Sequence, residues 1–168
     1  ELFPRWDSAT AEQWSCDKEA AFRSKAVGKL TPMPGLEEVI KLIDTLGLKK
    51  AAVTNAPRPN AEFMLGVIGR FDWFDTIVIG DECQRAKPDP MPYQIAMERL
   101  GLLPHECMVV EDSPSGAQAG VDSGAWTVGI LTSQPPAVLS KVGCKLLIRD
   151  YTDPRFLQVL KGETAQVA

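Results

Sequence analysis

The sequence is short of the features that would send it to a membrane, to nucleic acid or to the oxidising side of one. No apolar run approaches the ~20 residues of a spanning helix, and no secretory signal is visible. Lysine and arginine nowhere cluster and the net charge is −4, so neither nucleic acid nor an anionic membrane surface is an expected partner. The four cysteines (Cys16, Cys83, Cys107, Cys144) are scattered and form no C-x-x-C pair, which argues against a zinc site and a disulfide framework. Ordinary reduced thiols are expected, in a cytoplasmic protein or one of an organellar stroma. The one histidine, His105, sits in a Pro-His-Glu loop and reads as exposed rather than catalytic.

What is there suffices for one well-packed domain: 168 residues, 45% hydrophobic and 24% charged. The chain turns on Met108-Val109-Val110-Glu111-Asp112-Ser113-Pro114-Ser115-Gly116. A short apolar run ending on two acids reads as a buried strand of a covered parallel sheet, with Ser113 and Pro114 as N-cap and first residue of the next helix. That edge of an open α/β sheet is where ligands bind. Two adjacent carboxylates repel, and a hard cation such as Mg²⁺ relieves them. The plain alternative is an acidic turn that favours a helix dipole.

Before this strand the pattern changes once. From Phe3 to Lys29 it is helical, with one helix capped by Ser8 or Thr10 through about Trp14 and a second opening at Ser15. Pro32 and Pro34 then break it, giving a boundary between a small helical element, residues 1–30, and a main domain, residues 31–168. Beyond it helices and short strands alternate. Strands are expected over Lys50–Thr54, Thr76–Gly80, Cys107–Glu111, Trp126–Ile130 and Lys145–Ile148, separated by amphipathic helices that end at glycines such as Gly47, Gly101 and Gly124. Such alternation predicts an α/β fold of Rossmann-like type, a parallel sheet covered by helices on both faces.

Three of the loops that follow strands carry chemistry. Thr54 ends one strand, and its hydroxyl with the N–H groups of Asn55 and Ala56 would suit a phosphate, although a plain turn closed by Thr54 explains the residues as well. Lys87 lies between Ala86 and Pro88, held rather than free, and can neutralise phosphate or offset an acid pair; a solvated surface lysine is its alternative. Glu111 and Asp112 are the third. The order hydroxyl, lysine, acid pair, each after its own strand, is harder to obtain by accident than any member alone.

Thr54-Asn55, Lys87-Pro88-Asp89-Pro90 and Glu111-Asp112-Ser113-x-x-Gly116 resemble motifs II, III and IV of the haloacid dehalogenase superfamily. With Leu30-Thr31-Pro32-Met33-Pro34-Gly35-Leu36 and Val53-Thr54-Asn55-Ala56-Pro57, the chain is similar to the β-phosphoglucomutase-like, plant-type sugar-phosphatase branch. The resemblance implies a phosphatase of small phosphate monoesters, sugar phosphates first, working through an aspartyl-phosphate with Mg²⁺ as cofactor. Thr54 and Lys87 would be catalytic. Thr54, Asn55, Ala56 and Lys87 would hold the phosphoryl group, and Glu111 and Asp112 the metal, with Ser113 and Gly116 shaping that loop. Residues 1–30 would be the second half of a helical cap, and the protein a monomer acting on a small phosphorylated metabolite.

The departure from that pattern is equally specific. The family's Asp-x-Asp, with nucleophile and general acid–base, occurs nowhere in the 168 residues; neither Asp7 nor Asp81 substitutes for it. By resemblance the central first strand is absent, so the Thr54 strand and the acid strand would lack their shared neighbour, and these residues alone are expected to be inactive. A phosphosugar mutase of the β-phosphoglucomutase type and a non-catalytic phosphate- or metal-binding remnant are the other readings. A phospho-accepting receiver is disfavoured because its acids come first in the chain. Lys18, Glu19 and Arg23 could reach a substrate, but an i,i+4 pair of Glu19 with Arg23 on a solvated helix face explains them equally.

Overall fold

The computed structural model describes residues 6–163, so Phe3 to Arg5 of the expected first helix lie outside the described residues, as do the outermost residues of the 1–30 and 31–168 segments. Among the described residues seven helices and five strands follow in order: α1 (Ser8–Ala26), α2 (Leu36–Thr45), β1 (Ala51–Thr54), α3 (Arg58–Val67), β2 (Thr76–Ile79), α4 (Met91–Leu100), β3 (Met108–Glu111), α5 (Pro114–Asp122), β4 (Trp126–Ile130), α6 (Pro136–Val142), β5 (Leu146–Ile148) and α7 (Pro154–Leu160). The α/β alternation read from the sequence is therefore present. No helix among the described residues is long and apolar enough to cross a membrane.

The first helical region differs from expectation. One continuous helix runs through Trp14 and Ser15, because Ala9 to Lys18 contain no glycine or proline to end it and Ala, Glu and Gln favour continuation. Its cap is Asp7, whose carboxylate accepts the Thr10 N–H at 2.7 Å, so this aspartate serves the helix end and not an active site. The helix is mostly exposed, and its contacts with the rest run through α3.

The proline hinge does what its composition demands. Gly35 begins α2 with φ of 80°, and a side chain there would come within 2.6 Å of the Tyr151 backbone. The approach is fixed by the Tyr151 N–H donating to Pro34 O at 3.1 Å. Hinge and Tyr151 loop are thereby tied together beside the sheet's C-terminal edge.

All strand pairs are parallel, but they form two sheets: β1 with β2, and β3–β4–β5. Successive side chains of a strand point to opposite faces. On one face Val39 of α2 and Phe156 of α7 pack against Val128, Ile130, Leu146 and Ile148. On the other, Tyr93 and Met97 of α4 and Ala119 of α5 enclose Val109. Val78 and Val109 are buried as their apolar strands predict, whereas Val53, Ile77 and Val110 are only half-buried. For Val53 and Val110 the reason is direct: β1 and β3 each have one paired edge among the described residues.

Candidate active site

The C-terminal ends of β1 and β3 open on a cavity of about 470 Å³ lined by Thr54, Asn55, Ala56, Lys87, Glu111 and Asp112, with Met33, Thr132 and Tyr151 on its rim. Thr54, Asn55, Ala56, Lys87, Glu111 and Asp112, the residues expected to hold phosphate and metal, thus reach one place from three loops far apart in the chain. Asp81, by contrast, is exposed in the turn after β2 and is not among the lining residues.

Lys87 is the centre. Its side chain is only 7% exposed, and its ammonium donates to Val53 O at 2.9 Å, to Tyr93 Oη at 3.3 Å and to Glu111 Oε1. The loop that carries it is clasped by Asn55, whose Nδ2 donates to Lys87 O at 3.0 Å and whose Oδ1 accepts the Lys87 N–H at 3.3 Å. Asn55 therefore spends its amide on aligning two loops. Space for that amide depends on Gly80, where a side chain would meet Asn55 Oδ1 at 2.3 Å. Thr54 Oγ1 accepts the Ala56 N–H at 3.0 Å, the local turn that its sequence allows, while its residue lines the cavity.

The two acids differ because they alternate at a strand end. Glu111 is buried, and its Oε1 is shared by Lys87 and the Tyr93 hydroxyl. Burial, followed by the Glu111 charge and the hydrogen bond to it, pushes the Tyr93 phenol far above its ordinary range, so it remains a proton donor. Asp112 is exposed, with Oδ2 accepting the Thr132 hydroxyl at 2.8 Å. Ser113 caps α5, its Oγ accepting the Gly116 N–H at 3.0 Å. A side chain at Gly116 would sit 2.1 Å from the Glu111 carboxylate, so only glycine leaves that carboxylate its position.

Tyr93 was not legible as a site residue. A signal existed: it shares the buried face of α4 with Ala96 and Met97, and a buried phenol needs a polar partner. Glu19 and Arg23 of α1 also meet something unforeseen. Arg23 donates to Asn60 Oδ1 and Asn60 Nδ2 donates to Glu19, so both charged side chains clasp α3.

The donor set suits one hard cation. Asp112, the second Glu111 oxygen and the hydroxyls of Ser113 and Ser115 are oxygen donors lining one cavity. Among the described residues no three acidic, cysteine or histidine side chains gather. Mg²⁺ fits such a set, since it keeps several waters and takes one or two carboxylates plus substrate phosphate.

Comparison with known proteins agrees with this geometry. Residues 4–124 match the family model of haloacid dehalogenase-like hydrolases. The chain is 30% identical over 122 residues to validoxylamine A 7'-phosphate phosphatase of Streptomyces hygroscopicus, covering 73% of this chain and 56% of that protein. It is 34% identical over 91 residues to a phosphorylated carbohydrates phosphatase of Thermotoga maritima, covering 54% and 42%. A putative β-phosphoglucomutase structure from T. maritima superposes with a TM-score of 0.70 at 30% identity, over 78% of this chain and 60% of that one. The chain spans about half the length of the curated relatives it matches.

Proposed function

The chain belongs to the haloacid dehalogenase-like hydrolases, and on that footing we propose that it supplies the phosphate- and metal-binding half of a Mg²⁺-dependent phosphatase of small phosphorylated metabolites, sugar phosphates first. One observation carries the reading: Thr54, Lys87, Glu111 and Asp112 arrive from separate loops at a single cavity at the C-terminal ends of β1 and β3. A relative named for phosphorylated carbohydrates, and another for a small phosphate ester, support the substrate class.

In this reading Thr54 and the N–H groups of Asn55 and Ala56 orient the phosphoryl group, and Lys87 neutralises its charge. Asp112, with Glu111 behind it, holds the cation at the rim, and Ser113 fixes the turn between them. Mg²⁺, when bound, would offset charge on the phosphoryl oxygens. An aspartyl-phosphate route also needs a carboxylate nucleophile and a proton donor. Glu111 is committed to Lys87 and Tyr93, and Asp112 to the cation, so the 168 residues by themselves bind phosphate without turning it over. Helix α1 is the half cap, residues 1–30, touching the 31–168 core through the Glu19–Asn60–Arg23 clasp. The reading includes a monomer in the cytoplasm or an organellar stroma. A phosphosugar mutase would use the same residues, and the likeness to a putative β-phosphoglucomutase favours keeping it as the second reading.

The test is calorimetric titration of the chain with inorganic phosphate and a panel of sugar phosphates, with and without Mg²⁺, beside an assay for phosphate release. Binding that needs Mg²⁺ and is lost in Asp112→Asn, without release, is the expected result. Phosphate release by the chain alone would put the nucleophile within it and overturn the assigned division of roles. No binding of any phosphate compound would overturn the site.

A further inference from the structure

Lys87 and Tyr93 stand six residues apart on one short, stiff segment. Pro88, Pro90 and Pro92 restrict the backbone between and beside them. The Met91 N–H donates to Asp89 Oδ1 at 2.9 Å and the Tyr93 N–H to Pro90 O at 3.0 Å, which turns the loop into α4. That turn brings the Lys87 ammonium 5.0 Å from the centre of the Tyr93 ring and lets it donate to the phenol oxygen at 3.3 Å. Lysine and phenol then converge on the same atom, Glu111 Oε1.

The other Glu111 oxygen is treated differently. Among the described residues Oε2 has one hydrogen bond, a long one from the Ser113 hydroxyl at 3.4 Å. The last torsion of a glutamate is broad and nearly two-fold, and an ammonium attracts as a compact point charge that either oxygen satisfies. A phenol O–H has one proton and a preferred line, so it selects. Tyr93 is buried on the face of α4 that carries Ala96 and Met97, and its hydroxyl has no freedom to follow a carboxylate that turns. The direction of the acid is therefore set by the tyrosine.

We propose that Tyr93 is a positioning residue of the cation site, its hydroxyl fixing the Glu111 carboxylate with Oε1 turned to Lys87 and Oε2 left for the cation that Asp112 also holds. The inference rests on the cation reading above. One acid thereby carries two separate duties: Oε1 balances the ammonium, and Oε2 keeps its lone pairs for a hard ion. Tyr93 is not among the residues that line the site cavity, so it acts through Glu111.

Calorimetric titration of the whole chain with Mg²⁺ tests this. Tyr93→Phe keeps the ring and removes the hydroxyl, and should weaken Mg²⁺ binding roughly tenfold or more, the scale on which losing the outer partner of a ligand lowers metal affinity. Tyr93→4-aminophenylalanine returns an N–H to the same place and should recover most of that loss. Leu146→Ala, at a buried position of β5 outside the site cavity, weakens the fold and should leave Mg²⁺ affinity at the wild-type value. A further readout needs no variant at position 93. In wild-type protein labelled at tyrosine Cζ, the Tyr93 resonance, identified against Tyr151→Phe, should move when Mg²⁺ is added, because charge drawn to Oε2 weakens the oxygen that accepts the phenol proton. Equal Mg²⁺ affinity in wild type and Tyr93→Phe overturns the positioning role. So does a loss that Leu146→Ala shares or that 4-aminophenylalanine does not recover, and so does a Tyr93 resonance that saturating Mg²⁺ leaves in place. No Mg²⁺ binding by the wild type, or undiminished binding by Asp112→Asn, refutes the cation reading itself and the positioning role with it.

Discussion

Strands β1 and β4 are both built on small and β-branched residues, Trp126 apart, yet they end up in different environments. Thr127 and Val128 of β4 are fully buried, whereas every residue of β1 is half-buried. The difference lies in neighbours, since β4 lies between β3 and β5 while β1 has β2 alone. Composition says that a segment can be buried; what covers it decides that it is, and the singly paired β2 and β5 still bury Val78, Ile79, Leu146 and Ile148. The site straddles the two sheets, with Thr54 at the end of β1, the acid pair at the end of β3 and Lys87 joining them.

If Lys87 is the stitch, its loss should be the most damaging single substitution in either region. Lys87→Met leaves Glu111 buried without its cation, and one-sided removal from a buried pair costs about 3 to 5 kcal/mol. Urea unfolding should show that loss, with most of it recovered in the double variant Lys87→Met, Glu111→Gln. A single variant as stable as wild type would mean the two halves are not held there.

The comparison of strands is tested by one substitution made twice. Val128→Ala removes methyl groups from a site with no exposure and should cost about 2 to 3 kcal/mol. Val53→Ala, at a half-buried site, should cost less than half of that by the same measurement. Equal losses would show that β1 is as sealed in solution as β4. At the end of β3, Gly116→Ala forces a methyl group onto the Glu111 carboxylate, and roughly 1 to 3 kcal/mol of stability should go with it. Mg²⁺ affinity, read by calorimetry, should fall in the same variant because the acid pair is displaced.

Most elements were legible because punctuation and period agreed. Gly47, Gly101 and Gly124 follow the ends of α2, α4 and α5, and each strand lies within a residue or two of its apolar run. The break expected between Trp14 and Ser15 failed because a serine is a weak signal when nothing beside it stops a helix. Division into two sheets was beyond local reading, since pairing joins segments distant in sequence. At the site, residue types pointed to Thr54, Lys87, Glu111 and Asp112, but not to their division of labour. That Glu111 turns inward to Lys87 while Asp112 faces solvent follows from the phase of a strand end, which composition does not give. The Asn55 clasp and the Tyr93 hydroxyl depend on which loop lies opposite, and no spacing within one segment encodes that.

The smallest expected effect concerns helix ends. Helices α2, α3, α4 and α6 have no side-chain cap, whereas α5 and α7 are capped by Ser113 and Asp153. Asp153 accepts the Arg155 N–H at 2.9 Å and pairs with its guanidinium, which in turn donates to Leu147 O of β5 at 3.0 Å. The Arg155 side chain holds the Asp153 carboxyl below the usual carboxylate range against the opposing effect of burial, with the Arg155 backbone N–H adding to it. A lowered pKa means that the ionised form is the one folding favours. Its contribution is therefore present above the ordinary carboxylate pKa and disappears as pH falls through that value and the lowered one. Asp153→Ala should cost about 1 kcal/mol at neutral pH, near the middle of measured cap losses, with partial solvent exposure limiting the ionic share. Thermal unfolding at a series of pH values should show the gap between wild type and variant begin to close as pH falls through about 4, the ordinary carboxylate value, and keep closing below it. A gap that stays constant to acid pH would assign the loss to helix propensity or packing and remove the charge of Asp153 from the stability of this helix end.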